Sequence, residues 1–224
     1  MENHFDQNLK YLLEKKGLSH EDLASDLKVS VSGSQVYVDD LLKISQFFNL
    51  TVDQLLTQNL SLSLQKRDDI KLLILDVDGV LTTGGMYFTE KGDELKQFNT
   101  KDGRGIISFV KQGGNVGIIS SGFKNEIIKN RAKMLGINLV YVGTQAKEDI
   151  LVKWIEELNI NWSNVAYIGD DINDLNVMRK VGLATCPADA VDEIKEVSDI
   201  ILTKEGGKGC VRELIGTYLC DVKM

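Results

Sequence analysis

Proline and cysteine are both scarce in this sequence of 224 residues. Pro187 is the single proline, and the 20 glycines are spread along the chain, which is typical of helices and strands joined by glycine turns. The three cysteines, Cys186, Cys210 and Cys220, form neither a CxxC pair nor an even disulfide framework. We therefore expect reduced thiols and a cytoplasmic protein.

Long apolar runs and an excess of positive charge are also missing. No apolar run approaches the ~20 residues that a membrane span requires, and the first residues lack the apolar core of a signal peptide. The 26 basic and 33 acidic residues give a formal net charge of −7, which argues against a broad electrostatic grip on nucleic acid or anionic lipid. The chain is long enough for one large globular domain or two small ones.

Residues 1–60 carry helical patterns only. Ser19, followed three residues later by Asp22, predicts a capped helix start, and an apolar helical period runs over 38–48. Residues 61–69 are polar and have no period, so we interpret them as a linker. The sequence thus predicts a small all-α domain at the start of the chain.

From residue 70 to residue 224, short apolar runs alternate with amphipathic segments of helical length. The runs occupy residues 71–75, 115–120, 138–142, 164–169, 181–185 and 199–203. This alternation predicts an α/β fold, a Rossmann-like parallel sheet with helices on both faces. Residues 86–98 break the alternation, because two short runs around Lys91-Gly92-Asp93 predict an inserted β-hairpin.

Polar side chains follow the carboxyl ends of the predicted strands, where ligands bind in an open parallel sheet. They are Asp76, Asp78, Ser120, Ser121, Lys147, Asp170, Asp171, Asn173 and Asp174. Five carboxylates at one edge repel one another unless a cation lies among them. Oxygen ligands favour Mg²⁺, with Mn²⁺ as the alternative, and Mg²⁺ normally accompanies a phosphate group.

The pair Asp76 and Asp78 suits phosphoryl transfer. One carboxylate can attack phosphorus to form an aspartyl-phosphate, while a second acid protonates the leaving oxygen and then activates water. The two residues lie two apart and on the same side of an extended segment. The residues alone therefore indicate Mg²⁺-dependent phosphoryl transfer through aspartate.

LDVDGVLT, SSG, Lys147 and GDDIND resemble, in order and spacing, the four motifs of the haloacid dehalogenase superfamily of phosphatases. LTTGGMYFTEKGDELKQFNTKDGRGI and GGKGCVREL resemble the capless branch that contains 3-deoxy-D-manno-octulosonate (KDO) 8-phosphate phosphatases and relatives acting on nonulosonate 9-phosphates. The resemblance covers about residues 70–220. It implies a phosphoric monoester hydrolase for a phosphorylated 3-deoxy-ulosonate in surface sugar-acid biosynthesis, such as that of lipopolysaccharide.

The same resemblance implies roles for individual residues. Asp76 would be the nucleophile and a Mg²⁺ ligand, Asp78 the general acid/base with its carbonyl on the metal, and Asp170 the third ligand. Ser121 and Lys147 would hold the phosphoryl oxygens. Asp171 and Asp174 would orient metal-bound water and Lys147. The substrate-binding candidates are Asn99, Thr100, Lys101, Asp102, Gly103, Arg131, Lys147 and Asn173.

Three residues limit how far the family's substrate-binding roles can be assigned to this sequence. Taken singly, Lys101 or Arg131 is more often a solvated charge on a helix face. Phe123 stands where the octulosonate enzymes typically carry arginine and nonulosonate relatives can carry glutamate. A phenylalanine cannot pair with a carboxylate, so another phosphorylated sugar acid stays open as the substrate.

The resemblance also implies assembly. Capless relatives typically form homotetramers in which hairpins build a central barrel and help cover neighbouring sites, and residues 86–98 supply such a hairpin here. Residues 206–209 resemble a C-terminal loop that can reach an active site; a flexible glycine turn at a helix start is the alternative.

Residues 1–60 resemble the Cro/cI-type helix-turn-helix domain of phage repressors, whose third helix reads DNA. The stretch that should hold this helix, residues 30–37, is short and has no arginine or lysine. The 60 residues carry nine acids and five bases, and phosphates would repel this net charge of −4. We rank a degenerate domain for oligomer contacts or regulation above DNA binding, and keep a sugar-phosphate-responsive DNA-binding regulator as the alternative.

Overall fold

The computed structural model describes residues 4–29, 36–48, 50–57, 60, 69–122 and 125–219. The chain divides into two compact units, residues 1–65 and 66–224. All but the last residue of the predicted linker lies outside the described residues, as does Phe123. Within the described part of the chain, no helix combines the length and apolarity that crossing a membrane would require.

The first unit contains four described helices: α1 (His4–Lys16), α2 (His20–Leu27), α3 (Val38–Phe48) and α4 (Val52–Thr57). Helix α2 begins with a reciprocal cap, because Asp22 N donates to Ser19 Oγ at 3.0 Å and Ser19 N donates to Asp22 Oδ2 at 2.8 Å. The buried Asn8 amide joins α1 to the α4 end, with 2.9 Å hydrogen bonds to the backbone of Leu55 and Leu60.

The second unit is built on a parallel sheet of six strands with the order β5-β4-β1-β6-β7-β8. The strands are β1 (Leu72–Leu75), β4 (Asn115–Ser120), β5 (Leu139–Val142), β6 (Val165–Ile168), β7 (Leu183–Cys186) and β8 (Ile200–Ile201). The helices are α5 (Thr100–Lys111), α6 (Asn125–Leu135), α7 (Lys147–Leu158), α8 (Leu175–Met178), α9 (Asp192–Val197) and α10 (Cys210–Glu213). The predicted α/β class is confirmed.

Strand β1 lies at the centre of this sheet, with Leu72 in register with Asn115 of β4 and Val165 of β6. All four β1 side chains are fully buried, as are those of β6. A continuously apolar strand is expected where both faces of a parallel sheet are covered. The carboxyl ends of β1, β4 and β6 therefore meet at one edge of a rigid core.

The hairpin predicted over residues 86–98 forms directly after β1. Its strands are β2 (Tyr87–Phe88) and β3 (Glu94–Leu95), paired antiparallel with Phe88 opposite Glu94. Four large apolar side chains on it, those of Met86, Tyr87, Phe88 and Leu95, are each about 60% exposed. Burying such side chains is favourable by roughly 1.5–3 kcal/mol each, so the hairpin offers an apolar surface for contact.

Candidate active site

The site begins where β1 ends. Asp76 N donates to Ile168 O of β6 at 3.1 Å, so the sheet fixes Asp76 one residue beyond the strand. The chain then turns through residues 77–81, where Gly79 has a φ of +86°. A Cβ on Gly79 would lie 1.9 Å from Asp170 Oδ2. Glycine is needed here because the turn passes directly against the carboxylate that follows β6.

Lys147, the first residue of α7, lies between two of these carboxylates. Its Nζ is 2.8 Å from Asp76 Oδ1 and 2.6 Å from Asp174 Oδ1, and its side chain is only 3% exposed. Asp174 is held further by the Tyr167 hydroxyl, which donates to Oδ1 at 2.5 Å, and by Asp170 N, which donates to Oδ2 at 3.2 Å. A buried charge this well paired fixes the geometry around it.

The third carboxylate, Asp170, differs from Asp174 in its hydrogen bonding. Carboxylate oxygens of Asp76, Asp170 and Asp174 all lie within 4.8 Å of one another. In the described part of the chain, Asp170 Oδ1 is buried and has no hydrogen-bond partner. An unsatisfied buried carboxylate oxygen facing another acid is costly without a cation. The residues present therefore fit Mg²⁺, with Asp76 and Asp170 as carboxylate ligands and Asp174 already engaged by Lys147 and Tyr167.

Burial dominates the electrostatics of these acids. It raises the pKa of Asp76 to about 7, a rise that Lys147 opposes and Asp174 adds to. Burial, and then the neighbouring Asp76 and Asp174, raise the pKa of Asp170 to about 8. The pKa of Lys147 is lowered by burial but raised more by Asp76 and Asp174, so it lies above its ordinary value and the ammonium stays charged. A bound divalent cation would reverse both carboxyl shifts.

A cavity of about 340 Å³ opens onto Asp76. Its lining combines carboxylates, hydroxyls and hairpin side chains: Asp76, Asp78, Met86, Phe88, Glu94, Lys96, Ser120, Ser121, Gly122, Asp170, Asp171 and Asn173. The structure thus brings both acids of the predicted pair, Asp76 and Asp78, to one cavity. Its volume lies within the usual range for a small-molecule site.

Lys96 and Glu94 enter this cavity from the hairpin, and neither is a candidate of the sequence analysis. Lys96 Nζ lies 2.5 Å from Asp78 Oδ1 and 2.7 Å from Glu94 Oε1, and the Lys96 side chain is 4% exposed. The sequence signal that could have paired them is their spacing, since residues two apart on a strand have side chains on the same face. Tyr167, in the middle of an apolar strand, gives no sequence signal of its role.

At the end of β4 the two serines differ. Ser120 is 1% exposed and its Oγ accepts a 3.2 Å hydrogen bond from Gly122 N. Ser121 is exposed at the cavity, and Asn173 Nδ2 lies 3.5 Å from its Oγ. Asp171 lies at the rim, where its carboxylate accepts from Ile172 N at 2.7 Å. Ser121, Asp171 and Asn173 are therefore exposed polar residues of the cavity lining.

The predicted substrate-binding stretch lies elsewhere in the same chain. Asn99 Oδ1 accepts from Lys101 N at 2.8 Å and caps α5, while its Nδ2 donates to Gly207 O at 3.0 Å. Asp102 is buried and accepts from Arg212 N at 2.7 Å. Within the described residues, none of the six candidates Asn99, Thr100, Lys101, Asp102, Gly103 and Arg131 lines the cavity that contains Asp76.

Arg131 packs over the start of α5. Its Cζ lies 5.4 Å from the centre of the Phe98 ring, and its guanidinium is 3.4 Å from Asn99 O. A Cβ on Gly103 would lie 2.5 Å from Arg131 Nη2, so Gly103 makes room for this side chain. The described contacts of Arg131 thus link α6 to α5.

The glycine turn at residues 206–209 lies beside the turn that follows β1. Gly207 N donates to Val80 O at 2.8 Å. A Cβ on Gly206 would lie 1.9 Å from Gly79 O. The turn therefore supports the backbone that carries Asp78 in the same chain.

Comparison with known proteins identifies the fold and its chemistry. A family model of haloacid dehalogenase-like hydrolases matches residues 119–214. The chain is 42% identical over 157 residues to the 3-deoxy-D-manno-octulosonate 8-phosphate phosphatase of Escherichia coli K12, covering 70% of this chain and 80% of that protein.

Solved structures agree with this match. A probable phosphatase from Pseudomonas syringae is 42% identical with a TM-score of 0.69, covering 71% of this chain and 90% of that one. The Moraxella catarrhalis 3-deoxy-D-manno-octulosonate 8-phosphate phosphatase, in complex with magnesium, phosphate and KDO, is 36% identical with a TM-score of 0.68, covering 70% of this chain and 89% of that one. This chain belongs to the haloacid dehalogenase-like hydrolases.

Proposed function

We propose that the protein is a Mg²⁺-dependent phosphatase that hydrolyses a phosphorylated 3-deoxy-ulosonate such as KDO 8-phosphate. The observation that carries this proposal is the position of Asp76, which is held by Lys147 at 2.8 Å, grouped with Asp170, and open to a cavity that also contains Asp78. Relatives and solved structures with this fold carry that activity in their names.

Asp76 acts as the nucleophile. Its carboxylate attacks phosphorus while the ester P–O bond breaks, which leaves the phosphoryl group on Asp76 and leaves the departing sugar oxygen to take a proton from Asp78. Lys147 stays charged beside the Asp76 carboxylate and stabilises the negative charge that develops on the phosphoryl oxygens. The rigid end of β1 keeps the attacking oxygen in place, which is what positioning contributes to phosphoryl transfer.

Asp78 acts as the general acid and then as the general base. It gives its proton to the departing sugar oxygen, and then accepts a proton from the water that attacks the phosphoryl group on Asp76. Phosphate is released and both carboxyl groups return to their starting state. Lys96, 2.5 Å from Asp78 Oδ1, orients this carboxylate within the cavity.

Asp76 and Asp170 would hold Mg²⁺ through their carboxylates, and the family resemblance adds the backbone carbonyl of Asp78. A bound Mg²⁺ would supply positive charge against the phosphoryl oxygens. Asp171 and Asp174 orient the groups around it, Asp174 through its 2.6 Å contact with Lys147. Ser121 and Asn173 hold phosphoryl or sugar oxygens at the open side.

The test is phosphate release with Mg²⁺ from KDO 8-phosphate, a nonulosonate 9-phosphate and a panel of common sugar phosphates, with Asp76→Asn as the paired inactive variant. We expect preference for one ulosonate phosphate. Preference for the nonulosonate would favour the alternative substrate class. Equal rates on simple sugar phosphates would contradict both ulosonate assignments.

We propose a homotetramer joined through the hairpin, because Tyr87 and Leu95 are exposed and pair across its two strands. The buried free thiols Cys186 and Cys210 suit a reducing cytoplasm.

For the first unit we propose a degenerate repressor-like domain that contributes to assembly or regulation. The acidic balance of residues 1–60 disfavours phosphate contacts. Filter binding to random and genomic DNA at several salt concentrations tests this, because real DNA contacts give a steep loss of affinity with salt. Tight, salt-dependent binding would favour the alternative, a DNA-binding regulator that responds to sugar phosphates.

A further inference from the structure

A second cavity, of about 610 Å³, lies along α5 and shares no lining residue with the cavity at Asp76. One face of α5 and one residue of α10 line it: Thr100, Lys101, Arg104, Ile107, Ser108, Lys111 and Arg212. The α5 residues recur every three or four positions, so they form one stripe along the helix. Arg212 lies against this helix where Gly105 leaves room, since a Cβ there would be 3.1 Å from Arg212 Cδ.

The charge in this cavity is of one sign. Four of its seven lining residues are cationic and none is acidic. Within the described residues, the side chains of Lys101, Arg104, Lys111 and Arg212 make no ion pair, whereas Lys96, Lys147, Lys180 and Lys208 each pair with a carboxylate. The groove is therefore cationic although the chain as a whole carries a net charge of −7.

Four cations that share one cavity repel one another, and a multiply charged anion removes that repulsion. Arginine forks bind phosphate and carboxylate groups in bidentate fashion. The start of α5 at Thr100 adds the positive end of a helix of 12 residues. Ile107 and Ser108 add one apolar and one hydroxyl side chain to the lining, which suit the uncharged part of a ligand.

We propose that this groove, defined by the seven lining residues, is a binding site for a small metabolite that carries two or more phosphate or carboxylate groups. The groove is separate from the catalytic cavity, but both of its elements are joined to the supporting glycine turn. Asn99 at the α5 start donates to Gly207 O, and α10 begins directly after Gly209. The two elements are also joined to each other, because Asp102 of α5 accepts from Arg212 N. A ligand that draws α5 and α10 together therefore acts on the backbone beside Gly79.

The test is isothermal titration of the full-length, metal-free protein with tripolyphosphate and, separately, with citrate, which distinguish phosphate from carboxylate chemistry. The variant Arg104→Gln/Lys111→Gln removes two groove charges, and Lys91→Gln/Lys153→Gln removes two exposed charges elsewhere. We expect saturable binding that the groove variant weakens by about tenfold or more and the control pair leaves unchanged. Hydrogen exchange should show ligand protection over residues 100–111 and 210–214.

The charge-conserving variant Arg104→Lys/Lys111→Arg should retain most of the binding. Circular dichroism and thermal melting check that each variant is folded. The proposal is overturned if neither anion binds saturably, or if both charge-removing variants weaken binding equally. It is also overturned if the groove variant only dissociates an oligomer without changing anion binding, since the groove would then be a subunit interface.

Discussion

Lys96 Nζ lies between Asp78 Oδ1, at 2.5 Å, and Glu94 Oε1, at 2.7 Å, so a hairpin lysine holds the carboxylate that we assign as the general acid/base. The arrangement joins an inserted element to the chemistry at the sheet edge. The same ammonium also pairs with Glu94, whose side chain is only 8% exposed.

Lys96→Met should lower kcat by about 10- to 100-fold, because the variant no longer positions the Asp78 carboxylate for general acid/base catalysis. The variant also leaves Glu94 buried without its partner, which costs roughly 1–3 kcal/mol of stability. Steady-state kinetics and thermal melting measure both effects. The double variant Lys96→Met/Glu94→Gln should regain stability but not kcat, and recovery of both would mean that Lys96 is only structural.

Asp76→Asn should reduce turnover below about 1% of wild type, because an amide is not a nucleophile for phosphorus. The change keeps the side chain's size, and Lys147 retains Asp174 as a partner. Asp192→Asn, the same substitution at a side chain that is 95% exposed, serves as the matched control. Near-wild-type phosphate release from Asp76→Asn would show that another group attacks.

Stability of the metal-free protein should fall as pH rises from about 4 to about 8. The folded pKa values of Asp76, about 7, and Asp170, about 8, lie above those of an unfolded chain, so the folded state binds more protons in this window. The stabilisation is complete below the unfolded pKa and is lost as pH passes the folded values. Thermal melting in EDTA at several pH values measures this.

Mg²⁺ should remove this pH dependence, because it stabilises the ionised carboxylates. In Asp170→Asn the melting temperature should no longer rise with Mg²⁺, whereas Asp192→Asn should respond like wild type. A flat pH profile without metal, or an unchanged Mg²⁺ response in Asp170→Asn, would argue against the assigned ligands.

Gly206→Ala should destabilise the second unit by roughly 1–3 kcal/mol and reduce activity as well. The new Cβ would lie 1.9 Å from Gly79 O, so the turn that carries Asp78 must shift. Gly216→Ala is the matched control, because a Cβ there meets no atom within 4 Å. Chemical denaturation and kcat together check the prediction; equal behaviour of the two variants would contradict it.

Removal of residues 1–65 should leave a folded phosphatase, because the second unit begins at Lys66 and contains every assigned site residue. Solubility, circular dichroism and kcat of the truncated chain test this. An insoluble or inactive product would mean that the two units depend on each other.

The sequence predicted the elements whose physical signals are local. The apolar strands around Leu72–Leu75 and the capped start of α2 at Ser19 were evident, because burial on both faces and capping leave direct marks in the residue order. Because strand ends in a parallel sheet converge, the meeting of Asp76 and Asp170 also followed from the pattern.

The contacts that sequence did not predict depend on packing in three dimensions. Lys96 reaches Asp78 across 18 positions only because the hairpin folds back over the sheet edge. The hydroxyl of Tyr167 bonds Asp174 from within a strand whose pattern is purely apolar. The placement of Asn99–Gly103 depends on how α5 packs on the 206–209 turn, which no spacing encodes.

Met86 and Phe88 wall the catalytic cavity while remaining 63% and 59% exposed in the single chain. In the proposed tetramer, the contact that covers these side chains also closes the cavity, so the free energy of subunit association contributes to forming the active site. Specific activity would then rise with enzyme concentration and saturate, and dilution alone would act as an inhibitor.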